Sequence, residues 1–522
     1  MRPGWIAAGL LSAAVLSLTL LLPARAPFSG DNGLRLWAAS SGSGHLQRAM
    51  PQAMDASVYR PSLTVPDGTN LLPAYGRTLP ALASLGGLIQ WPVMWRLLVA
   101  AASLLALPLL SRLSGLGSSG GALCFLAAGL VPYSLLFWEH GPAVTLFLLT
   151  AVLLLRSLGR ASGVPWWLVA AAAACRLRPE MIPALAAFLV VLILRNREAP
   201  GAGRTLRWAA AAALLAALGA VLFPESVLGS QVLSNMPGTP SAILSSRMDV
   251  LRAWTLPGLP VMSVSVLLWG GSTVFLLLRK GGLRFRRTVL AGGLAGAAAM
   301  LYPVARGSAG SMSLLTMAPV AVLLPAVAYR ARGTGRTLLI AGISGGLLVG
   351  LLSPTHGMFQ FGPRFLLGPM ALLAAGAVRT MKQHGFHRYK GVLVVAVLVL
   401  GLLGTVRGVL FCGYFRARHT DLQRSLESIH AEVLCTDEEW LPLVCWPRAR
   451  RMPILVMEPD RAESLAESGM ELVWLSSRSV LGGKTGEPGY RHMRYSLPTG
   501  SELQLPEPPA GPREPSPPAV AI

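Results

Sequence analysis

Long apolar runs separated by short polar segments dominate the pattern along this 522-residue chain. Many runs are about 17–22 residues long, which is enough for a helix to cross a bilayer. The runs do not alternate between apolar and polar residues, which excludes an outer-membrane β-barrel. The fifth run is short and is expected to dip into the bilayer. The pattern predicts thirteen membrane helices, at residues 5–22, 95–111, 120–137, 141–155, 164–176, 181–194, 207–223, 257–278, 288–305, 311–329, 337–353, 365–378 and 391–411.

The segment after residue 411 has a mixed pattern that predicts a small α/β domain. Its predicted helices are Leu422–Val433 and Arg461–Ser468, and its predicted strands are Pro453–Val456 and Leu472–Ser476. The chain is therefore expected to be an all-α polytopic membrane protein over residues 1–411, with a long loop at 23–94. The α/β domain follows over 412–496, and a proline-rich, disordered tail over 497–522.

Composition and charge support a membrane protein. Only 13% of the residues are charged, about half of the ~25% that is usual in soluble domains. The net charge is +22, but the basic excess lies among the spans: residues 1–411 hold 33 Lys/Arg and eight acids, and residues 412–522 hold 12 and 15. This distribution indicates membrane topology, and no nucleic-acid partner is expected.

The basic residues also predict the sidedness of the loops. With the N-terminus in the cytoplasm, the inside loops carry 20 Lys/Arg, whereas the external loops carry seven, apart from the long first loop. Cytoplasmic loops are enriched in these residues, so the C-terminal domain is predicted to be external. Ala24-Arg25-Ala26 resembles a signal-cleavage site, but the apolar run before it is longer than usual in signal peptides, which favours a retained first span.

Charged residues in the external loops are candidates for chemistry. Seven of the eight acids in residues 1–411 fall there, together with Arg178, Arg306, Arg364, His140 and His356. Acids and arginines on one face of a membrane protein fit an anionic, lipid-linked substrate. The alternative is that loops are simply where charge is tolerated, although this does not explain why acids avoid the inner loops.

Two of these loops place an acid close to the membrane. Asp31 follows the first span, between Gly30 and Gly33, which allow the backbone to bend. The next residues, 34–50, could form an interfacial helix anchored by Trp37, and Asp31 could also cap that helix. Glu139 and His140 lie side by side between two spans. They could bind a phosphate or a divalent metal, although two residues are too few for a closed metal site, or they could simply be solvated at the interface.

Two further loops contain arginines. Arg178, Pro179 and Glu180 cluster at a turn, and either bind a ligand or pair with each other. Arg364 begins the twelfth span, where a cation opposes the helix dipole. A guanidinium donates two parallel hydrogen bonds to a phosphodiester, so Arg364 is the leading phosphate-binding candidate. The five cysteines form no metal-binding pattern. Cys435 and Cys445 could form a disulfide in an oxidising compartment.

Four short motifs, in this order and sidedness, resemble the GT-C class of polytopic membrane glycosyltransferases. The resemblance extends over about residues 1–411 and is to the broad group of bacterial enzymes similar to dolichyl-phosphate-mannose-protein mannosyltransferases. The motifs are Ser-Gly-Asp31-Asn-Gly, Phe-Trp-Glu139-His140, Leu-Arg178-Pro-Glu180 and Phe-Gly-Pro-Arg364-Phe-Leu. The first loop has no Asp-x-Asp or Asp-Glu pair, which sets it apart from metal-dependent versions.

The resemblance implies transfer of a sugar from a polyprenyl-phosphate donor to an acceptor hydroxyl of the cell envelope, outside the bacterial cytoplasmic membrane. Asp31 would be the catalytic base. Arg364, with Arg178 or Arg306, would bind the departing phosphate, and no cofactor is implied. Glu139, His140, Glu180 and His356 complete the expected substrate site. Two alternatives remain open: a flippase or transporter of lipid-linked glycans, which needs no base, and a surface-glycan polymerase or ligase.

Overall fold

The computed structural model describes most of the predicted spans and parts of the C-terminal region. The described residues are 3–23, 25–41, 64–67, 70–73, 78–85, 87, 91–158, 165–199, 201–211, 247, 250, 260–278, 282–305, 313–352, 364–383, 390–427, 429, 433–449, 451, 453–458, 461–462, 472–476 and 491–495.

Helices form most of the described chain, and six strands lie outside the long apolar runs. Two 3₁₀ segments occur, at Pro319–Leu323 and Arg364–Leu366. The other elements are α1 (Pro3–Leu21), α2 (Gly30–Ser40), β1 (Thr64–Asp67), β2 (Asn70–Pro73), α3 (Thr78–Leu85), α4 (Pro92–Leu104), α5 (Ala106–Ser114), α6 (Gly117–Ala127), α7 (Leu130–Ser134), α8 (His140–Leu158), α9 (Trp166–Leu177), α10 (Met181–Arg195), α11 (Pro260–Leu278), α12 (Leu283–Ala305), α13 (Leu314–Met317), α14 (Leu324–Arg330), α15 (Gly333–Leu352), α16 (Leu367–Gln383), α17 (Lys390–Glu427), β3 (Val433–Thr436), α18 (Leu441–Val444), α19 (Trp446–Ala449), β4 (Ile454–Val456), β5 (Leu472–Ser476) and β6 (Arg491–Tyr495).

The chain divides into two compact units. The membrane unit comprises Met1–Leu22 and Val93–Gly413, and the second unit comprises Pro23–Pro92 and Tyr414–Ala521. The long first loop therefore shares a unit with the C-terminal region.

Within the described residues, six helical segments are long and apolar enough to cross a membrane, and five further apolar helices are shorter. The predicted all-α polytopic fold class is confirmed. The number thirteen stays a prediction, because most of the seventh run, 207–223, lies outside the described residues. The fifth run forms α9, whose 12 residues extend only about 18 Å.

Glycine or proline interrupts two of the predicted spans within the described residues. The third, 120–137, is divided into α6 and α7 at Gly129, whose φ of 66° is a left-handed conformation that glycine adopts without strain. The tenth, 311–329, is divided into α13, a 3₁₀ segment and α14. Pro319 is the first residue of the 3₁₀ segment and Pro325 is the second residue of α14. Proline interrupts a helix because it cannot donate the backbone hydrogen bond of a continuing helix.

Glycines bring α15 and α16 close together in the membrane unit. A Cβ on Gly335 would meet Thr380, and one on Gly376 would lie 3.0 Å from the carbonyl oxygen of Gly335. Small residues of this kind allow membrane helices to pack backbone against backbone. The segment Arg364–Gln383 is the most buried of the six candidate spans. Arg364 therefore begins a tightly held helix.

The second unit contains a four-stranded sheet with the order β4-β3-β5-β6. β3 is parallel to both β4 and β5, whereas β6 is antiparallel to β5. All four residues of β3 are buried, as is typical of a parallel strand covered on both faces. β1 and β2 form a separate antiparallel pair.

The sequence prediction of the C-terminal region is correct for the strands β4 and β5 and wrong in the bounds of the helix predicted at Leu422–Val433. Residues 422–427 are the end of α17, which continues 16 residues beyond the predicted limit of 411, and the chain is extended again from Val433. Arg461 and Ala462 are helical, and the rest of the predicted 461–468 helix lies outside the described residues. So does the tail at 497–522. Cys435 and Cys445 are buried, free thiols and form no disulfide.

Candidate active site

Arg364 is buried in the membrane unit, against two aromatic rings. It lies in the 3₁₀ segment that leads into α16, with only 6% of its surface exposed. Its guanidinium carbon is 5.1 Å from the centroid of the Trp138 ring and 4.9 Å from that of Phe365. Aromatic faces attract cations at this distance, so the rings hold the guanidinium in place.

Arg178 converges on the same phenyl ring. It ends α9 in an extended conformation, which is expected for a residue that precedes proline. Its guanidinium carbon lies 5.7 Å from the Phe365 ring centroid, and its Nε donates a 2.6 Å hydrogen bond to Oε1 of Glu180. The pairing of Arg178 with Glu180, one of the two alternatives from the sequence, is therefore present.

Glu139 and His140 are fully buried where α8 begins. Nε2 of His140 is 3.8 Å from Oε1 of Glu180, and the imidazole lies edge-on to Trp138 with the ring centroids 4.4 Å apart. Gly141 allows this close approach, because a Cβ there would overlap Ser103 of α4. Interfacial solvation, the alternative reading of Glu139 and His140, is wrong because neither side chain is exposed.

The structure brings together several of the predicted substrate-binding residues through shared neighbours. We call this set the Arg364 cluster; it consists of Tyr133, Trp138, Glu139, His140, Arg178, Glu180, Arg364 and Phe365. The sequence interpretation gave no role to Tyr133 or Phe365. The signal that could have found Phe365 is its position next to Arg364. The ring centroids of Tyr133 and His140 are 5.8 Å apart. The only sequence signal for Tyr133 was its position in the same turn as His140. Arg306 and His356 lie outside the described residues.

Asp31 is the second residue of α2 and belongs to the second unit. The N-cap of that helix is Ser29. Its Oγ accepts a hydrogen bond from the backbone N–H of Asn32, and Oδ1 of Asn32 accepts one from the N–H of Phe28 at 3.1 Å. This reciprocal pattern satisfies two backbone donors at the helix start. The capping explanation of Asp31 is therefore wrong.

Two other expectations about α2 are also corrected. Trp37 is fully buried, so its indole is not an anchor at the membrane interface. Gly33 lies within the helix, where a Cβ would overlap the carbonyl oxygen of Leu443. Its role is a close approach between two backbones and not a bend around Asp31.

Metal ligands do not converge within the part of the chain that the structure describes. No group of three His, Cys, Asp or Glu side chains is placed to hold an ion there. The Arg364 cluster instead offers hydrogen-bond donors and acceptors of other kinds.

The chemistry of the Arg364 cluster suits a sugar phosphate. The Glu180 carboxylate offsets the charge of Arg178, so an anion has to be held by direct bonds to the guanidinium groups and not by net charge. Guanidinium groups form short, charge-assisted hydrogen bonds with phosphate oxygens. Carboxylates accept hydrogen bonds from hydroxyl groups, which sugars carry.

The comparisons with known proteins give one structural similarity. The chain is similar to the crystal structure of ArnT from Cupriavidus metallidurans in the apo state, with a TM-score of 0.48 and 15% sequence identity, over 91% of this chain and 93% of that chain. No protein-family model matches the sequence, and no curated protein matches it.

Proposed function

We propose that this protein is a membrane glycosyltransferase that takes a sugar from a polyprenyl-phosphate donor and transfers it to an acceptor hydroxyl on the external face of the cytoplasmic membrane. The observation that carries the proposal is the convergence of Arg364 and Arg178 on Phe365. Two guanidinium groups in a buried part of an apolar helical unit favour an anionic ligand that itself resides in the membrane.

In this proposal, the arginines stabilise the leaving group. The acceptor oxygen attacks the anomeric carbon of the sugar, and the bond from that carbon to the phosphate oxygen breaks. The negative charge that develops on the phosphate is then bound by Arg364 and Arg178. Fixed donors aimed at developing charge are a large source of catalysis. The aromatic rings around Arg364 support this role, because they orient its guanidinium before the donor arrives.

Asp31 is assigned the role of general base, which takes the proton of the acceptor hydroxyl. This assignment comes from the resemblance of Ser-Gly-Asp31-Asn-Gly to the GT-C motif. It is supported by the finding that Ser29 and Asn32 already satisfy the helix start, since local capping does not require a carboxylate at position 31. Glu139, His140 and Glu180 are proposed to contact the sugar.

The transfer reaction itself tests this function. Purified protein would be given a polyprenyl-phosphate sugar and a cell-envelope extract, and sugar transfer would be measured for the parent and for Asp31→Asn. Asparagine keeps the size of the side chain but cannot act as a base, so transfer should fall by about 10²-fold or more. A variant that transfers at the parent's rate would remove Asp31 from the base role.

A transporter is the competing outcome. If the parent transfers no sugar to any acceptor but moves the labelled lipid across liposomes, the flippase interpretation is correct. Transfer by the parent, with no accumulation of donor on the opposite leaflet, supports the enzyme.

A further inference from the structure

The backbone that leads into the Asp31 helix has no regular secondary structure and is buried from Ala26 onward. We call residues 25–29 the lead-in segment. Ala26, Phe28 and Ser29 are buried, and Ser29 is extended, with φ −149° and ψ 169°. Buried carbonyl groups require hydrogen-bond donors, and a segment outside helices and strands has to find those donors elsewhere.

Three side chains from the C-terminal part of the second unit supply these donors. Nε1 of Trp446 donates to the carbonyl of Arg25 at 3.2 Å. Nε of Arg416 donates to the carbonyl of Ala26 at 3.1 Å. Nδ1 of His419 lies 2.8 Å from the carbonyl oxygen of Pro27, and since a carbonyl only accepts, this nitrogen carries the proton. Three consecutive carbonyls are thereby fixed by residues about 390–420 positions away.

Packing fixes the start of the helix on both sides of Asp31. The Phe28 ring lies edge-to-face against Phe415, with the centroids 6.1 Å apart. Gly33 brings α2 against the backbone of α18, with no room for a Cβ. Asp31 lies between these two fixed points in the chain.

We propose that Trp446, Arg416 and His419 are positioning residues for the reaction, acting through Asp31 by fixing the lead-in segment. This inference rests on the proposed function, in which Asp31 is the base. Its consequence is that the C-terminal region takes part in catalysis although none of these three residues touches the reacting atoms. A base that is displaced by about 1 Å loses up to 10²-fold in rate.

Kinetics of single variants test the role. His419→Phe and Trp446→Phe keep an aromatic ring but remove the donor to the lead-in segment. Each should lower kcat by about 10- to 100-fold, with the KM for the lipid donor unchanged because Arg364 and Arg178 are intact. His419→Asn places an amide N–H near the position of Nδ1 and should restore most of the rate.

Asp421→Asn is the matched control. Asp421 also lies on α17, and its Oδ1 is 3.5 Å from Nη1 of Arg424, where both side chains are largely exposed. Loss of its charge should leave kcat unchanged. Tryptic cleavage after Arg25 gives a readout that does not depend on activity: it should be faster in His419→Phe than in the parent and in Asp421→Asn.

A double-variant comparison separates this inference from the proposed function. His419→Phe should have no further effect on the rate when Asp31→Asn is already present. If Asp31→Asn is inactive while folded His419→Phe and Trp446→Phe keep the parent's kcat, the positioning role is wrong and the base assignment stands. If the rate losses of Asp31→Asn and His419→Phe multiply in the double variant, the positioning role is also wrong. Parent-like activity of Asp31→Asn overturns the base assignment and the positioning role with it.

Discussion

The guanidinium of Arg364 lies over the indole ring of Trp138, 5.1 Å from its centroid. Such a contact contributes about 0.5–2 kcal/mol. Trp138→Leu should therefore weaken binding of a polyprenyl phosphate by a factor of about 2 to 30, and Trp138→Phe should weaken it less because a ring remains. Equilibrium binding in detergent micelles measures this.

A tryptophan of α9 provides the control for that experiment. Trp166 is 63% exposed and is not part of the Arg364 cluster, so Trp166→Leu should bind the lipid as the parent does. Equal losses of lipid affinity in Trp138→Leu and Trp166→Leu would mean that Trp138 contributes only apolar surface and that its contact with Arg364 has no effect on binding.

Arg178 and Glu180 should behave as a coupled pair in stability measurements. Arg178→Gln leaves the Glu180 carboxylate without the 2.6 Å bond, and the charge then remains in a mostly buried position. The double variant Arg178→Gln/Glu180→Gln should lose less stability than the two single losses added together, with a coupling of about 0.5–3 kcal/mol. The free energies of unfolding of the parent, the two single variants and the double variant, measured in mixed micelles, form a double-mutant cycle. Strictly additive losses would show that the ion pair has no energetic role.

The cysteines of the second unit should remain thiols. Burial raises the pKa of Cys435 to about 12 and also raises the pKa of Cys445. Because only the thiolate reacts with alkylating reagents, both should be alkylated far more slowly in the native protein than after denaturation at pH 8. Peptide mapping without reductant would contradict the structure if it found Cys435 linked to Cys445.

The same pKa shift predicts how stability depends on pH. A thiol whose pKa is raised by folding makes its full contribution to the free energy of unfolding at a pH below the cysteine pKa in the unfolded chain, about 8.5. As the pH rises above that value, the unfolded state releases its proton first, so the free energy of unfolding should fall. A variant with serine at both positions should show a weaker decline between pH 8.5 and about 10.

The sidedness of the membrane unit remains a prediction from the basic loops. A reporter that is active only outside the cytoplasm should be silent when it is fused after Lys280. It should be active when it is fused after Glu427, where α17 ends. Residue 411 is unsuitable as a fusion point because it lies inside that helix. The opposite pattern would place the C-terminal region in the cytoplasm and overturn the external location of the proposed site.

The sequence predicted those features of the fold that depend on local pattern. Apolar runs identified most helices, because the length needed to cross a bilayer is a property of single segments. The division at Gly129 was missed because a left-handed glycine leaves no trace in hydropathy. The extension of α17 was missed because its last turns are polar, and a search for apolar runs stops at residue 411.

The candidate site was predicted in its charged residues but not in their arrangement. Arg178, Glu180, His140 and Arg364 were identified because ionisable groups between apolar spans are costly. Their convergence on Phe365 and Trp138 depends on packing between helices far apart in sequence, which no short motif encodes. The hydrogen bonds from Trp446, Arg416 and His419 to the lead-in segment are of the same kind, since backbone carbonyls carry no sequence signature.

Direct binding of the lipid phosphate to Arg364→Lys tests the central claim. Lysine keeps the charge but not the planar fork that donates two hydrogen bonds, and a hydrogen bond to a charged group contributes about 1.5–3 kcal/mol. The account predicts that Kd for a polyprenyl phosphate rises by about tenfold or more, with folding intact. Arg112→Lys, an exposed exchange of the same kind in α5, should bind as the parent does. An unchanged Kd in Arg364→Lys would contradict the claim that Arg364 holds the phosphate.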